Sequence, residues 1–204
     1  MTNNRNIKII ERKTLFDGFH KLEDITLQHS SFSKQTSNLL PPTTREVMHC
    51  GKAALMLLYH PQKDAILLSQ QFRFGVFASG YDNPWIWEAA GGMVDEKEDP
   101  KDSAIREAYE ETGTTVLNTE FIGNFFTSSG CLDEEFYLYC GCINDADTSR
   151  LYGMTDEGEE INTELISVNN VFTMLEQHEI VQGMTALALY WFKDNYSRLK
   201  TTWS

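Results

Sequence analysis

The segment from Gly92 to Thr114, GMVDEKEDPKDSAIREAYEETGT, constrains this chain more than any other stretch. Asp99 can accept hydrogen bonds from the free N–H groups that open a helix, Pro100 suits the first helical position, and Asp102 puts negative charge in the first turn. Gly113 supplies the stop, so the pattern predicts a helix opening at Asp99 and closing at Gly113. At about 100° per residue, Glu107, Glu110 and Glu111 share roughly one third of the circumference, while Ile105, Ala108 and Tyr109 point the other way. One face is acidic and the opposite face is free to pack against a sheet.

A solvated surface is the ordinary fate of a Glu-rich face. Like charges three and four residues apart repel, however, and each pair costs about a few tenths of a kcal/mol unless a cation neutralises it. Oxygen ligands without Cys or His among them favour Mg²⁺ or Mn²⁺ over zinc. The full spacing decides between the two readings. Gly92, five residues, Glu98, seven residues and then Arg106-Glu107-Ala108-Tyr109-Glu110-Glu111-Thr112-Gly113 resembles the Nudix box, the signature of hydrolases acting on a nucleoside diphosphate linked to another moiety. Thr114 departs from it, standing where the family usually has an aliphatic residue, and bears on packing more than on chemistry. The resemblance implies an α/β/α sandwich.

With 204 residues, 41% hydrophobic and 12% aromatic, the chain suits one globular domain plus an appendage. Its net charge of −13 disfavours nucleic acid, whose recognition rests on clustered Lys and Arg. A small anionic substrate stays compatible where cations and local arginines offset the repulsion. The opening residues lack the apolar core of a signal peptide and no run of 18 apolar residues occurs, which predicts a cytoplasmic protein with no membrane partner. Cys50, Cys131, Cys140 and Cys142 form no CxxC pair and read as reduced structural residues.

Short mixed runs around Ile7, Ile9, Ile10, Phe19, Leu22 and Ile25 predict a small antiparallel unit over residues 1–45, with 46–204 as the main domain. Ser30 to Thr44, with Pro41-Pro42, reads as a loop or linker. Strands are predicted over Ala53–Leu58 and Ala65–Ser69 as a pair, then Trp85–Ala90, Phe121–Thr127 and Phe136–Cys142. Asp156 to Glu160 reads as an exposed acidic loop. Asn170 is a candidate cap for a helix to about Glu179, and a last helix spans Thr185 to Leu199, with Leu187, Leu189, Tyr190 and Phe192 available for burial. Helices before and after the strands imply a sheet covered on both faces, an α/β layered sandwich with a small N-terminal antiparallel β unit.

Beyond the box, TLFDGF (14–19), QFR (71–73), PWIWE (84–88), SSG (128–130) and GMTDEGEEI (153–161) are similar to segments of bacterial ADP-ribose pyrophosphatases, and the related GDP-mannose pyrophosphatases share several of them. That resemblance implies a homodimer in which the N-terminal β unit is exchanged and the site borrows residues from both chains. It implies Glu107, Glu111, Glu159 and the Gly91 carbonyl as metal ligands, Glu110 as an assistant, and Glu157 as general base. Arg73 matches a phosphate-binding arginine, with Arg45 the one matched arginine of its region. Phe19 and His20 match residues bordering the nucleobase, Ser128, Gly130 and Glu134 a substrate loop, and Met93 the residue after the box glycine. Gly92, Glu98, Arg106 and Gly113 match structural positions of the box.

The relatives often have Arg where this chain has Thr44 and Cys50, and a proline at Ser129. These differences leave the substrate open between ADP-ribose, cleaved to AMP and ribose 5-phosphate, and GDP-mannose or another sugar nucleotide. A catalytically inert sugar-nucleotide sensor is the rival from another class, and the complete set Glu98, Arg106, Glu107, Glu110 and Glu111 argues against it.

Overall fold

The computed structural model describes residues 6–33, 39–153 and 158–204. They form two compact units, one running to Gly51 and taking in Phe126–Glu135, the other made of Lys52–Phe125 and Phe136–Ser204. The first unit is an antiparallel sheet of β1 (Ile7–Asp17), β2 (Lys21–His29) and β3 (Thr43–His49), in that order. Residues 126–135 pair along the end of β3, where the Met48 N–H donates to the Cys131 carbonyl (2.9 Å) and the Asp133 N–H to the Met48 carbonyl (3.3 Å).

The second unit contains β4 (Lys52–His60), β5 (Ala65–Phe72), α1 (Phe74–Ala78), β6 (Trp85–Glu88), β7 (Ala90–Met93), α2 (Pro100–Thr112), β8 (Asn118–Phe126), β9 (Glu135–Cys142), β10 (Asn162–Ser167), α3 (Val168–Glu176) and α4 (Gly183–Trp203). The sheet order is β10-β5-β4-β9-β8, with β6 paired to β5 and β7 to β4. Its two faces are read from β4, where side chains alternate across the pleat. Leu55, Leu57 and Tyr59 join Val171 and Leu175 of α3 and Ala188, Leu189 and Phe192 of α4. Ala54, Met56 and Leu58 join Ala104 and Ala108 of α2. Each large side chain fully buried this way contributes about 1.5–3 kcal/mol, and a strand covered on both sides reads as the unbroken apolar run ALMLLY.

A half-buried polar cluster fastens α4 to the turn between β4 and β5. Asp64, in the left-handed region at φ 50°, accepts from Tyr59 (3.0 Å), Tyr196 (2.7 Å) and Lys200 (2.7 Å). The predicted strand over Trp85–Ala90 is interrupted at Ala89, whose N–H donates to the Thr185 hydroxyl of α4 (3.0 Å) instead of to a neighbouring strand. α3 starts earlier than Asn170, because Ser167 is its cap and accepts from the Asn170 N–H (3.3 Å); it ends at Glu176, before His178 at φ 61°. α4 extends to Trp203, and Ala188 is buried where Tyr190 was expected, the tyrosine being 52% exposed. Tyr109 likewise lies outside, 62% exposed, because the two alanines of α2 make its closest contact with the sheet. α1 and β10 carried no recognised signal.

All four cysteines are free thiols; Cys131 is exposed, the other three buried. Among the described residues no helix is long and apolar enough to cross a membrane.

Gly91 of β7 lies opposite Leu55 of β4, and a Cβ there would stand 2.5 Å from the Ala54 carbonyl oxygen. Sheet backbone cannot yield as a side chain can, so Gly91→Ala should lower stability by about 1–3 kcal/mol. Gly75→Ala, with nothing within 4 Å of the new methyl, should melt no lower than the parent; thermal unfolding of the two checks both.

Candidate active site

β7 leads through two adjacent glycines into the turn before α2. The Asp95 N–H donates to Glu98 (3.1 Å), Asp99 caps the helix by accepting from the Lys101 N–H (2.8 Å), and Gly113 closes it at φ 66°. Arg106 gathers this region. It donates from Nε and Nη2 to the two carboxylate oxygens of Glu98 (3.1 Å each), from Nη1 to Glu107 (2.8 Å) and Glu110 (3.0 Å), and from Nη2 to the Met93 carbonyl (3.2 Å). The fork holds the Glu98 carboxyl down at about 2.

Helical spacing puts the three glutamates at different depths. Glu110 is exposed, Glu107 is largely covered with its carboxylate directly beneath Gly92, and Glu111 is 7% exposed, accepting from the Gly91 N–H (3.1 Å). Burial pushes the Glu111 carboxyl up to about 8; the Gly91 N–H opposes this, and the Glu107 and Glu159 charges add to it. Burial also raises Glu107 against the pull of Arg106.

Glu107, Glu110, Glu111, Glu159, Gly91 and Arg73 line one cleft of about 750 Å³, and Met93 sits at its edge. Arg73 donates from Nε to Glu88 (2.7 Å), a carboxylate that burial raises and Arg73 lowers. Gln71, with its amide turned so that nitrogen faces Glu159 (3.2 Å) and oxygen faces Arg73 Nη2 (3.1 Å), links the two. Glu88 and Gln71, which contact Arg73 beside the cleft, were not picked out by the sequence reading, although QFR and PWIWE had been singled out as segments. A second cleft of about 570 Å³ shares Arg73 and Glu159 and adds Phe74 and Trp85.

Among the described residues no three His, Cys, Asp or Glu side chains are gathered closely enough to hold a metal ion as they stand. The donor set nonetheless fits a hard divalent cation: the partly desolvated carboxylates of Glu107 and Glu111 face one cleft with Glu159, and Glu111 has its charge opposed only by distant arginine and one backbone N–H.

The remaining described candidates belong to the first unit. Phe19 is 91% exposed, its ring 4.8 Å from that of His20 in the turn between β1 and β2. Arg45 lies on β3 in an apolar groove with Ile25, Leu27 and Val47. Ser128, Gly130 and Glu134 share one loop, closed where the Thr127 hydroxyl donates to Glu134 (2.7 Å). Glu157 lies outside the described residues.

The NUDIX domain model matches residues 50–185, a span that contains the whole carboxylate cleft. The chain belongs to the Nudix family. It is 29% identical over 201 residues to an ADP-ribose pyrophosphatase of Haemophilus influenzae, covering 98% of this chain and 91% of that protein. An ADP-ribose pyrophosphatase of Escherichia coli K12 is 30% identical over 199 residues (98% and 93%). A GDP-mannose pyrophosphatase of Salmonella paratyphi B is 27% identical over 192 residues (94% and 97%). A solved structure described as an ADP compounds hydrolase superposes with a TM-score of 0.71 over 96% of this chain and 95% of its own, at 17% identity, and shows the same fold.

Two outcomes follow for this Nudix hydrolase. A Cβ on Gly92 would sit 2.5 Å from the Glu107 carboxylate, the movable end of a side chain. Gly92→Ala should therefore melt close to the parent while turnover falls by roughly 10²-fold, the scale of an ångström-sized misplacement. Folded Glu111 holds its proton up to about 8 against 4.5 for the free side chain. Between those values the folded state binds more protons than the unfolded, so stability falls as pH rises through that window. In chelator-treated protein, Glu111→Gln should melt several degrees above the parent at pH 8 and about level with it at pH 4.5, about 2–4 °C for each kcal/mol recovered.

Proposed function

We propose that this enzyme hydrolyses the diphosphate linkage of a nucleoside diphosphate sugar, with ADP-ribose yielding AMP and ribose 5-phosphate as the leading substrate. The observation that carries the reading is the convergence of Glu107, Glu111 and Glu159 on one cleft beside Arg73. The names of the full-length relatives supply the substrate class.

Glu107, Glu111, Glu159 and the Gly91 carbonyl are the groups that would hold divalent cations, Mg²⁺ or Mn²⁺, with Glu110 at the rim. When bound, such ions lower the pKa of a water and offset charge that builds on the phosphoryl oxygens. Arg73, steadied by Glu88 and Gln71, turns a guanidinium toward the diphosphate, a geometry suited to paired contacts with phosphate oxygens. Glu157 takes the proton from the attacking water. Phe19 and His20 border the base, and Arg45, Met93, Ser128, Gly130 and Glu134 contact the rest of the substrate. The apolar side chains that β1 exposes, Ile7, Ile9 and Phe16 among them, support a homodimer built through the N-terminal sheet.

GDP-mannose is the second reading. It is favoured by the Salmonella relative and by Ser129 where the ADP-ribose enzymes have proline.

A panel of ADP-ribose, GDP-mannose, ADP-glucose and dinucleoside polyphosphates with Mg²⁺, with products identified, separates the two. ADP-ribose should give the highest kcat/KM and release AMP, and Glu107→Gln and Glu111→Gln should each lower kcat by about 10²–10⁴-fold while remaining folded. Undiminished turnover in both variants would refute the ligand assignment, and comparable slow rates on every compound would refute both named substrates.

A further inference from the structure

Outside the carboxylate cleft, the first unit holds a histidine placed between two acids from different elements. His49, at the end of β3, turns Nδ1 to Asp133 Oδ2 (2.6 Å) and Nε2 to Glu23 Oε2 (3.1 Å). A neutral imidazole has one N–H, and its other nitrogen would then face a carboxylate lone pair. Only the doubly protonated ring donates to both.

Each acid has further ties. Glu23 on β2 is 6% exposed and also pairs with Arg12 of β1 (3.0 Å) and with Lys21. Asp133 spends its other oxygen on the N–H groups of Cys50 (2.8 Å) and Gly51 (3.3 Å). Burial raises the Asp133 carboxyl, but the His49 contact and these two N–H groups outweigh it and leave it below the usual range. The imidazole therefore meets Glu23, itself paired with Arg12 and Lys21, on the sheet side and Asp133 on the loop side; Asp133 and Glu134 also bear on the Cys50 thiol.

What the loop-side contact restrains is specific. Asp133 immediately precedes Glu134 in the loop that bears Ser128 and Gly130. The rest of that loop is held by two backbone hydrogen bonds with Met48, by the Glu135 N–H on the Gly51 carbonyl (3.1 Å), by the Thr127 N–H and hydroxyl on Glu134, and by the Cys131 and Leu132 N–H groups on the Ser128 carbonyl. The Asp133 side chain is 44% exposed and Glu23 only 8%, so the sheet end of the arrangement is the more deeply covered and the loop end the more accessible to water.

We propose that His49 is a positioning residue for substrate binding, clamping Asp133 against Glu23 so that the 127–134 loop holds Ser128, Gly130 and Glu134 in place for the sugar nucleotide. The proposal rests on the substrate-loop role given under the proposed function. It places His49 in no contact with substrate, so its signature is in KM.

With the best substrate of the panel, His49→Gln and Asp133→Asn should each raise KM about fivefold or more and leave kcat within about twofold. The double variant should be no worse than the worse single one, because both remove the same contact. His49→Arg, which keeps a cation with several donors, should recover most of the loss. Nitrogen-15 spectra at mildly acid pH should show exchange-protected N–H signals at both ring nitrogens of His49. Unchanged KM in both single variants alongside a lowered Tm, additive losses in the double variant, or a single protected ring N–H would each overturn the proposal. If the parent enzyme hydrolyses none of the panel, the functional reading fails separately. Amide exchange over residues 127–134 then decides: faster exchange in His49→Gln supports the clamp, and unchanged protection overturns it.

Discussion

The site depends on one guanidinium. Arg106 draws Glu98, Glu107, Glu110 and the Met93 carbonyl together, and so joins the turn after β7 to the middle of α2. Isolated surface ion pairs contribute little. Here the partners share one donor fork, and Glu98 and Glu107 are largely covered, so removing the fork would leave partly buried carboxylates unpaired at a much larger cost. The acidic face of α2 is possible because this cation sits inside it. The contact also orients Glu107 beneath Gly92, which is why that position has no room for a side chain unless Glu107 moves.

How much of this was legible in the sequence follows from the range of the interactions. The ends of α2 depend on Asp99, Pro100 and Gly113, whose effects reach only a turn, and both ends were readable. β4 was readable because the seven consecutive buried residues Ala53–Tyr59 leave an unbroken apolar run. The break at Ala89 was not, since its cause is a hydroxyl 96 residues away on α4. Angular spacing placed Glu107, Glu110 and Glu111 on one side of the helix, but it carries no information about depth. The sheet decides that, covering Glu111 and leaving Glu110 in solvent. Tyr109 failed for a related reason: Ala104 and Ala108 bring α2 close to the sheet, and a large ring between them and solvent has nowhere to be buried. The box, QFR and PWIWE gave Arg106, Arg73 and Glu88 their neighbourhoods, whereas the pairing of His49 with Glu23 and Asp133 depends on three elements that no local pattern connects.

The cleft sets a burial problem that the rest of the second unit absorbs. Glu111 is nearly as deeply buried as the alanines beside it, and its charged form is unfavourable there without a cation. An apolar residue would suit the fold better at that position. The fold tolerates the acid because α2 is held from both directions, by Ala104 and Ala108 on the sheet and by Arg106 on the turn, while the opposite face carries the larger cluster around Tyr59, Leu189 and Phe192. On the proposed reading the same electrostatics define the ligand. A chain of net charge −13 with acids in its cleft repels a free diphosphate. Arg73, braced by Glu88 and Gln71, supplies one positive contact, too little to balance Glu107, Glu111 and Glu159, and divalent cations held by these carboxylates would make up the difference. Affinity for the substrate and affinity for the ions are therefore expected to rise and fall together in this cleft.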